Sequence, residues 1–144
     1  MKVGKFWLIG LSIVILDQLT KTWARISLVD IEILPFFSFT FSSNTGAAFG
    51  IFQGNNWIFF FLGLVALGLI FIYYRKMFVK KEAIWWIIIT AGIMGNMIDR
   101  LFVHYVIDFI NFHFWPIFNI ADSALTIGVV ALLLKSFKSS PPSE

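Results

Sequence analysis

Four long apolar segments crowd this chain, and they constrain its fold more than any other feature. They cover about residues 6–26, 57–74, 83–102 and 117–135. Each approaches the roughly 20 residues that a helix needs to cross a bilayer. The second contains no charge, the third none before Asp99, and the fourth only Asp122 before Lys135. The first is apolar or small in its first half and carries Asp17, Gln18, Lys21 and Arg25 in its second. Backbone facing lipid must satisfy its own hydrogen bonds, so all four are expected to be transmembrane helices. Charged residues are 13% of the 144 and apolar ones 59%. A soluble domain could not cover its surface with so few charges, and a disordered chain would be more polar. The expectation is an all-α membrane protein, a single membrane-embedded domain over 1–144 with no room for a soluble one.

The charges give a direction. Eight of the 11 basic residues, Lys2, Lys5, Arg75, Lys76, Lys80, Lys81, Lys135 and Lys138, fall on one side of the spans. The positive-inside rule puts both termini and the 75–82 loop in the cytoplasm. Segments 27–56 and 103–116 then face outward, and six of the eight acids lie on or near that side. Net charge is +3, but the basic residues sit between apolar blocks, which reads as topology rather than as a nucleic-acid footprint. Lys2 and Lys5 ahead of an apolar run resemble the start of a signal peptide, yet the chain continues Asp17-Gln18-Leu19-Thr20-Lys21 with no small-x-small site. A retained first helix is expected. The chain has no Cys, which removes disulfides, thiol nucleophiles and thiolate metal sites.

In the outer segment 27–56, Phe37, Phe39 and Phe41 alternate with Ser38, Thr40 and Ser42. Period two predicts a strand. Pro35 and Ser43-Asn44-Thr45-Gly46 are turn signals on either side. The reading is a small extracytoplasmic β element on the membrane surface, its Phe face toward lipid. Ala47, Ala48, Phe49 and Gly50 suit a flexible or re-entrant stretch. Residues 109–115 read as an interfacial aromatic belt, and Pro116 breaks the chain before the last helix. The 139–144 tail is expected to fray.

Ionisable residues in such a chain are functional candidates by default. Asp17 and Lys21 share a helical face and can simply pair with each other, or orient a catalytic loop. Asp99 and Arg100 follow Gly92, Gly95 and Asn96; they can mark the membrane surface, or Arg100 can hold a carboxylate or phosphate. Asp108 stands in an apolar run and reads alone as a loop acid; Asp122 reads alone as a helix cap. Brought together in an apolar cleft, the two carboxylates can share a proton, giving one acid and one base to activate water against a carbonyl. His104 and His113 match no metal-ligand spacing, and no P-loop, glycine fingerprint or zinc-protease motif is present. Ser123 has no activating His or Lys at a recognisable spacing. A proton-coupled carrier or small channel, or a non-catalytic scaffold, remains open on these residues alone.

The ordered motifs resemble lipoprotein signal peptidase, signal peptidase II, over essentially the full length. Asp17-Gln18-Leu19-Thr20-Lys21 matches one block, Asn44-Thr45-Gly46-Ala47-Ala48-Phe49 a second, and Gly95-Asn96-Met97-Ile98-Asp99-Arg100 a third. Val106-Ile107-Asp108-Phe109 and Phe118-Asn119-Ile120-Ala121-Asp122-Ser123 match the last two. The resemblance implies an enzyme of the bacterial cytoplasmic membrane, active at its extracytoplasmic side. It would cut the signal peptide from prolipoproteins just before a diacylglyceryl-modified Cys. Asp108 and Asp122 would be the catalytic pair, with no cofactor or metal. Asn44, Gly46, Asn96, Asp99, Arg100, Asn119, Ala121, Asp17 and Lys21 would bind substrate or support the pair. Its partners would be lipid-modified prolipoprotein and membrane phospholipid, with no nucleic acid, and it is expected to work as a monomer. One departure stands out: the family usually has Gly where this chain has His104.

Overall fold

The structure, a computed structural model, describes residues 4–27, 30–47, 51–77 and 82–139. Lys2, Ala48, Phe49, Gly50, Lys80, Lys81 and Glu144, with the rest of the 140–144 tail, lie outside the described residues, as does the side chain of Arg75. The elements are α1 (Gly4–Ser27), β1 (Ile31–Leu34), β2 (Phe37–Asn44), α2 (Asn56–Met77), α3 (Ala83–Phe102), β3 (Val106–Asn111) and α4 (Ile120–Ser139).

The helices are inside out relative to a water-soluble bundle. In α1 the buried residues are Gly10, Asp17, Lys21 and Ala24, while Leu8, Leu11, Ile15 and Leu19 are exposed. Asp17, Lys21 and Ala24 follow i, i+4, i+7 and so form one stripe. Apolar surface turned outward is what lipid solvates and water does not. Stretches of α2, α3 and α4 are long and apolar enough to cross a membrane; α1, with its charged stripe, falls short of that composition. The central element is α3, which packs against α1, α2 and α4. Its small residues permit this. A methyl group on Gly92 would sit 2.5 Å from the Ala121 carbonyl oxygen, and one on Gly95 would sit 2.7 Å from Asp17 Oδ2.

One sheet of three antiparallel strands, in the order β1-β2-β3, caps one end. Ser42 lies opposite Asp108 and Asn44 opposite Val106, with a bulge between Phe39 and Ser42. The strand β3 is not foreseen by the sequence reading, in which Asp108 taken alone is a loop acid in an apolar run. Val106, Ile107, Asp108 and Phe109 are all buried, so both faces of the strand are covered and no alternation betrays it. The Phe face of β2 is also less free than expected. Phe39 meets Trp23 of α1 edge-on at 5.6 Å, and Phe37 lies 5.0 Å from Phe112.

The end of α3 accounts for His104. The N–H groups of Val103 and His104 both donate to the Asp99 carbonyl, at 2.7 and 3.1 Å. To close that turn His104 takes φ +68°, a left-handed conformation that glycine adopts freely. Its ring centroid lies 5.7 Å from that of Trp57.

Candidate active site

Asp108 comes from β3 and Asp122 from the first turn of α4, and Asn119 joins them. Its Nδ2 donates to Asp108 Oδ1 at 2.6 Å, its backbone N–H to Asp122 Oδ2 at 3.3 Å, and its Oδ1 accepts the Asp122 N–H at 2.8 Å. The two outer oxygens are held as well. Asn44, at the end of β2, donates from Nδ2 to Asp108 Oδ2 at 3.0 Å, and Asn96 of α3 donates to Asp122 Oδ1 at 2.7 Å. Every carboxylate oxygen of the pair thus accepts one amide hydrogen. Burial, joined by the negative charge of Asp122, pushes the Asp108 carboxyl up to about 7; the Asn44 and Asn119 donors and Lys21 oppose the shift.

Behind the pair lies a second layer of charge. Lys21 Nζ reaches Asp17 Oδ2 at 2.8 Å, Asp99 Oδ2 at 3.0 Å and Asn96 Oδ1 at 3.0 Å. All three ionic groups are at most 2% exposed. An ammonium only donates, so Lys21 fixes the Asn96 oxygen toward itself and the Asn96 amide hydrogens toward Asp122. Asp17 Oδ1 accepts the Ala121 N–H at 2.8 Å, one residue before Asp122. Asp99 Oδ2 accepts the Ile107 N–H at 3.0 Å, one residue before Asp108. The Asp17–Lys21 pair is therefore more than a local helix contact; it reaches the backbone beside one carboxylate and, with Asp99, beside the other.

Arg100 donates from Nη2 to the Gly46 carbonyl at 3.1 Å and lies over the Phe59 ring, 5.5 Å from its centroid. Gly46 in turn donates its N–H to Asn44 Oδ1 at 2.9 Å, which aims the Asn44 amide hydrogens at Asp108. A cavity of about 630 Å³, lined from α2, α3 and α4, opens onto Asp108, Asp122, Asn96 and Arg100. All eleven candidate residues thus fall in one connected site. One participant was missed: Gln18 donates from Nε2 to Asp17 Oδ2, the Gly95 carbonyl and Asp99 Oδ1, each at 3.1 Å. Its place inside the Asp17-to-Lys21 block was the available signal. The histidines stand apart, His104 against Trp57 and His113 against Ser38.

A sequence model of the family described as Signal peptidase (SPase) II matches residues 9–138. The chain belongs to the signal peptidase II family. A lipoprotein signal peptidase of Syntrophomonas wolfei is 38% identical over 135 residues, covering 90% of this chain and 91% of that protein. One from Thermodesulfovibrio yellowstonii is 41% identical over 136 residues, covering 88% and 90%. The fold is similar to a solved structure described as a bacterial membrane enzyme, obtained by the in meso method at 2.3 Å. That similarity has TM-score 0.84 and 33% identity, covering 100% of this chain and 96% of the other. Signal peptidase II is an aspartic endopeptidase of the bacterial membrane that cleaves signal peptides from prolipoproteins.

Proposed function

We propose that this chain removes the signal peptide from diacylglyceryl-modified prolipoproteins, cutting just before the lipidated Cys, with Asp108 and Asp122 as the catalytic pair. It does so as one domain with four membrane-spanning helices, both termini cytoplasmic and the sheet and cavity at the extracytoplasmic side. The observation that carries the reading is the pair itself: two carboxylates from separate elements, each oxygen held by one amide hydrogen, beside a cavity that opens between apolar helices. The buried charges gather around that pair instead of running along a path through the bilayer, which argues against a carrier.

Asp108, raised to about 7, is the member suited to hold the proton. Ionised Asp122 takes a proton from a water molecule, whose oxygen forms the bond to the scissile carbonyl carbon. Asp108 gives its proton to the carbonyl oxygen. The tetrahedral centre then collapses: the C–N bond breaks, the amine leaves with the proton held by Asp122, and Asp108 recovers its own from the hydroxyl. No cofactor enters. Arg100, beside the cavity, can hold a substrate carbonyl and counter developing negative charge.

A gel mobility-shift assay on purified diacylglyceryl-modified prolipoprotein tests the reading. Wild type should cleave it. Asp108→Asn and Asp122→Asn should each lose about three orders of magnitude or more while remaining folded. Cleavage that survives either change removes the pair from the mechanism.

A further inference from the structure

Among the described residues that line the cavity, Arg100 alone carries positive charge. Its own bonds do not fix where that charge lies. Nη2 donates to the Gly46 carbonyl, while the Nε–H is buried and makes no hydrogen bond among the described residues. A long, flexible side chain with so few bonds takes its position from the seat beneath it.

The first turn of α2 is that seat. Phe59 lies against the guanidinium, its ring centroid 5.5 Å away. Asn56, three residues earlier and so on the same helical face, donates from Nδ2 to the Arg100 carbonyl at 3.0 Å. The end of α3 makes that carbonyl available. The N–H groups of Val103 and His104 both turn back to Asp99, so neither reaches the Arg100 oxygen, and Asn56 satisfies one of the orphan carbonyls of the helix end. Asn56 is only 6% exposed, and its Oδ1 is buried with no hydrogen-bond partner among the described residues. A buried amide oxygen left unpaired costs stability, so packing alone does not explain an Asn here.

Asn96, whose amide donates to Asp122, precedes Arg100 by about one helical turn. Asn56 thus fastens the end of α3 at the residue from which the guanidinium reaches the cavity, one turn from the residue that holds a carboxylate of the pair. We infer that Asn56 is a positioning residue for cleavage: by tying the Arg100 main chain to the first turn of α2, it sets where the guanidinium meets the carbonyl that gains negative charge. This rests on the peptidase reading and on the role given there to Arg100.

The test uses the full chain in lipid nanodiscs, in excess over a diacylglyceryl-modified prolipoprotein so that slow variants stay measurable. The maximal single-turnover rate and the half-saturating enzyme concentration are read for each variant. Asn56→Ala should lower the maximal rate about tenfold and move half-saturation less than about twofold, because the guanidinium is misplaced and not lost. Arg100→Gln should lose about 100-fold. Added to Arg100→Gln, Asn56→Ala should cost no more than about twofold further. The main-chain carbonyl at position 100 is still present in that background, so a merely structural tie would cost the same factor again. Asn55→Ala, which removes an amide bonded to the Phe52 and Gln53 carbonyls, should stay within about twofold of wild type and controls for disturbance of the chain ahead of α2. Should Asn56→Ala not fold, Asn56→Ser, which keeps a shorter donor, goes through the same cycle. An equal loss in both backgrounds, an equal loss in Asn55→Ala, a change confined to half-saturation, no loss at all, or an Arg100→Gln enzyme as fast as wild type overturns this inference alone. Failure of wild type to cleave overturns the peptidase reading and this one with it.

Discussion

Asp108 keeps its proton at a pH where an ordinary aspartate has long lost it, and that has consequences for both rate and stability. Its carboxyl stands near 7 in the folded chain against 3.8 for the free side chain. The folded state therefore binds a proton that the unfolded state releases, and stability falls as pH rises from about 4 to about 7. Asp108→Asn cannot ionise and escapes this loss. Its amide, however, faces the Asn44 and Asn119 donors with one acceptor fewer. We expect a net gain of about 1–2 kcal/mol at pH 8 and none at pH 4, read by thermal unfolding in detergent. In wild type the same proton should be needed for cleavage, so kcat should fall as pH climbs through about 7. His104 gives a second prediction at this scale. A side chain at φ +68° is strained where glycine is not. His104→Gly should stabilise the chain by about 1 kcal/mol, less whatever the Trp57 contact contributes, with activity retained. The departure from the family residue was legible in the sequence; its reason was not, because φ is set by the helix end that Asp99 closes.

Among the elements, the buried triad of Asp17, Lys21 and Asp99 ties α1 to α3 and, through the Ala121 and Ile107 amides, to α4 and β3. Lys21→Met would leave two buried carboxylates without a cation. It should cost about 3–5 kcal/mol, seen as a collapse in unfolding temperature. A triple variant with Asp17→Asn and Asp99→Asn added should regain much of that stability. It should still cleave slowly, because nothing then forces the Asn96 amide hydrogens toward Asp122. Gly92→Ala would press a methyl into the Ala121 backbone and push α4 away from α3. About 1–3 kcal/mol should be lost, together with cleavage. Helices were the readable elements, since an uncharged run of bilayer length has few alternatives: residues 83–102 were expected and Ala83–Phe102 is observed. The polar stripe of α1 was visible as Asp17 and Lys21, but its partners lie some eighty residues away and left no local trace. β3 was unreadable for a different reason. Its four buried residues in succession erase the period by which strands are recognised.

For the molecule as a whole, the cavity lies among helices whose outer surfaces are apolar, so substrate should reach it from within the membrane. A diacylglyceryl group on the substrate then acts before any contact with the enzyme. Each buried CH₂ of an acyl chain adds roughly 0.8 kcal/mol to membrane binding, and two chains together make a stable anchor at the Cys. Anchoring confines the scissile bond to a thin layer and raises its effective concentration at the carboxylate pair. It also fixes the depth of the Cys, which an unmodified side chain would leave free to vary. Both effects act on encounter and positioning, so most of the difference should appear in kcat/KM. A precursor with Cys→Ser at the modification site, which carries no lipid, should be cut at least about 100-fold less efficiently. The measurement is initial rate against substrate concentration in nanodiscs, with both precursors reconstituted at equal density. Free diacylglycerol added to the bilayer should not rescue the unmodified precursor, because the anchor works only when bonded to the chain it positions. Equal cleavage of both would mean that the signal peptide alone sets depth and register, and that the lipid plays no part in selection.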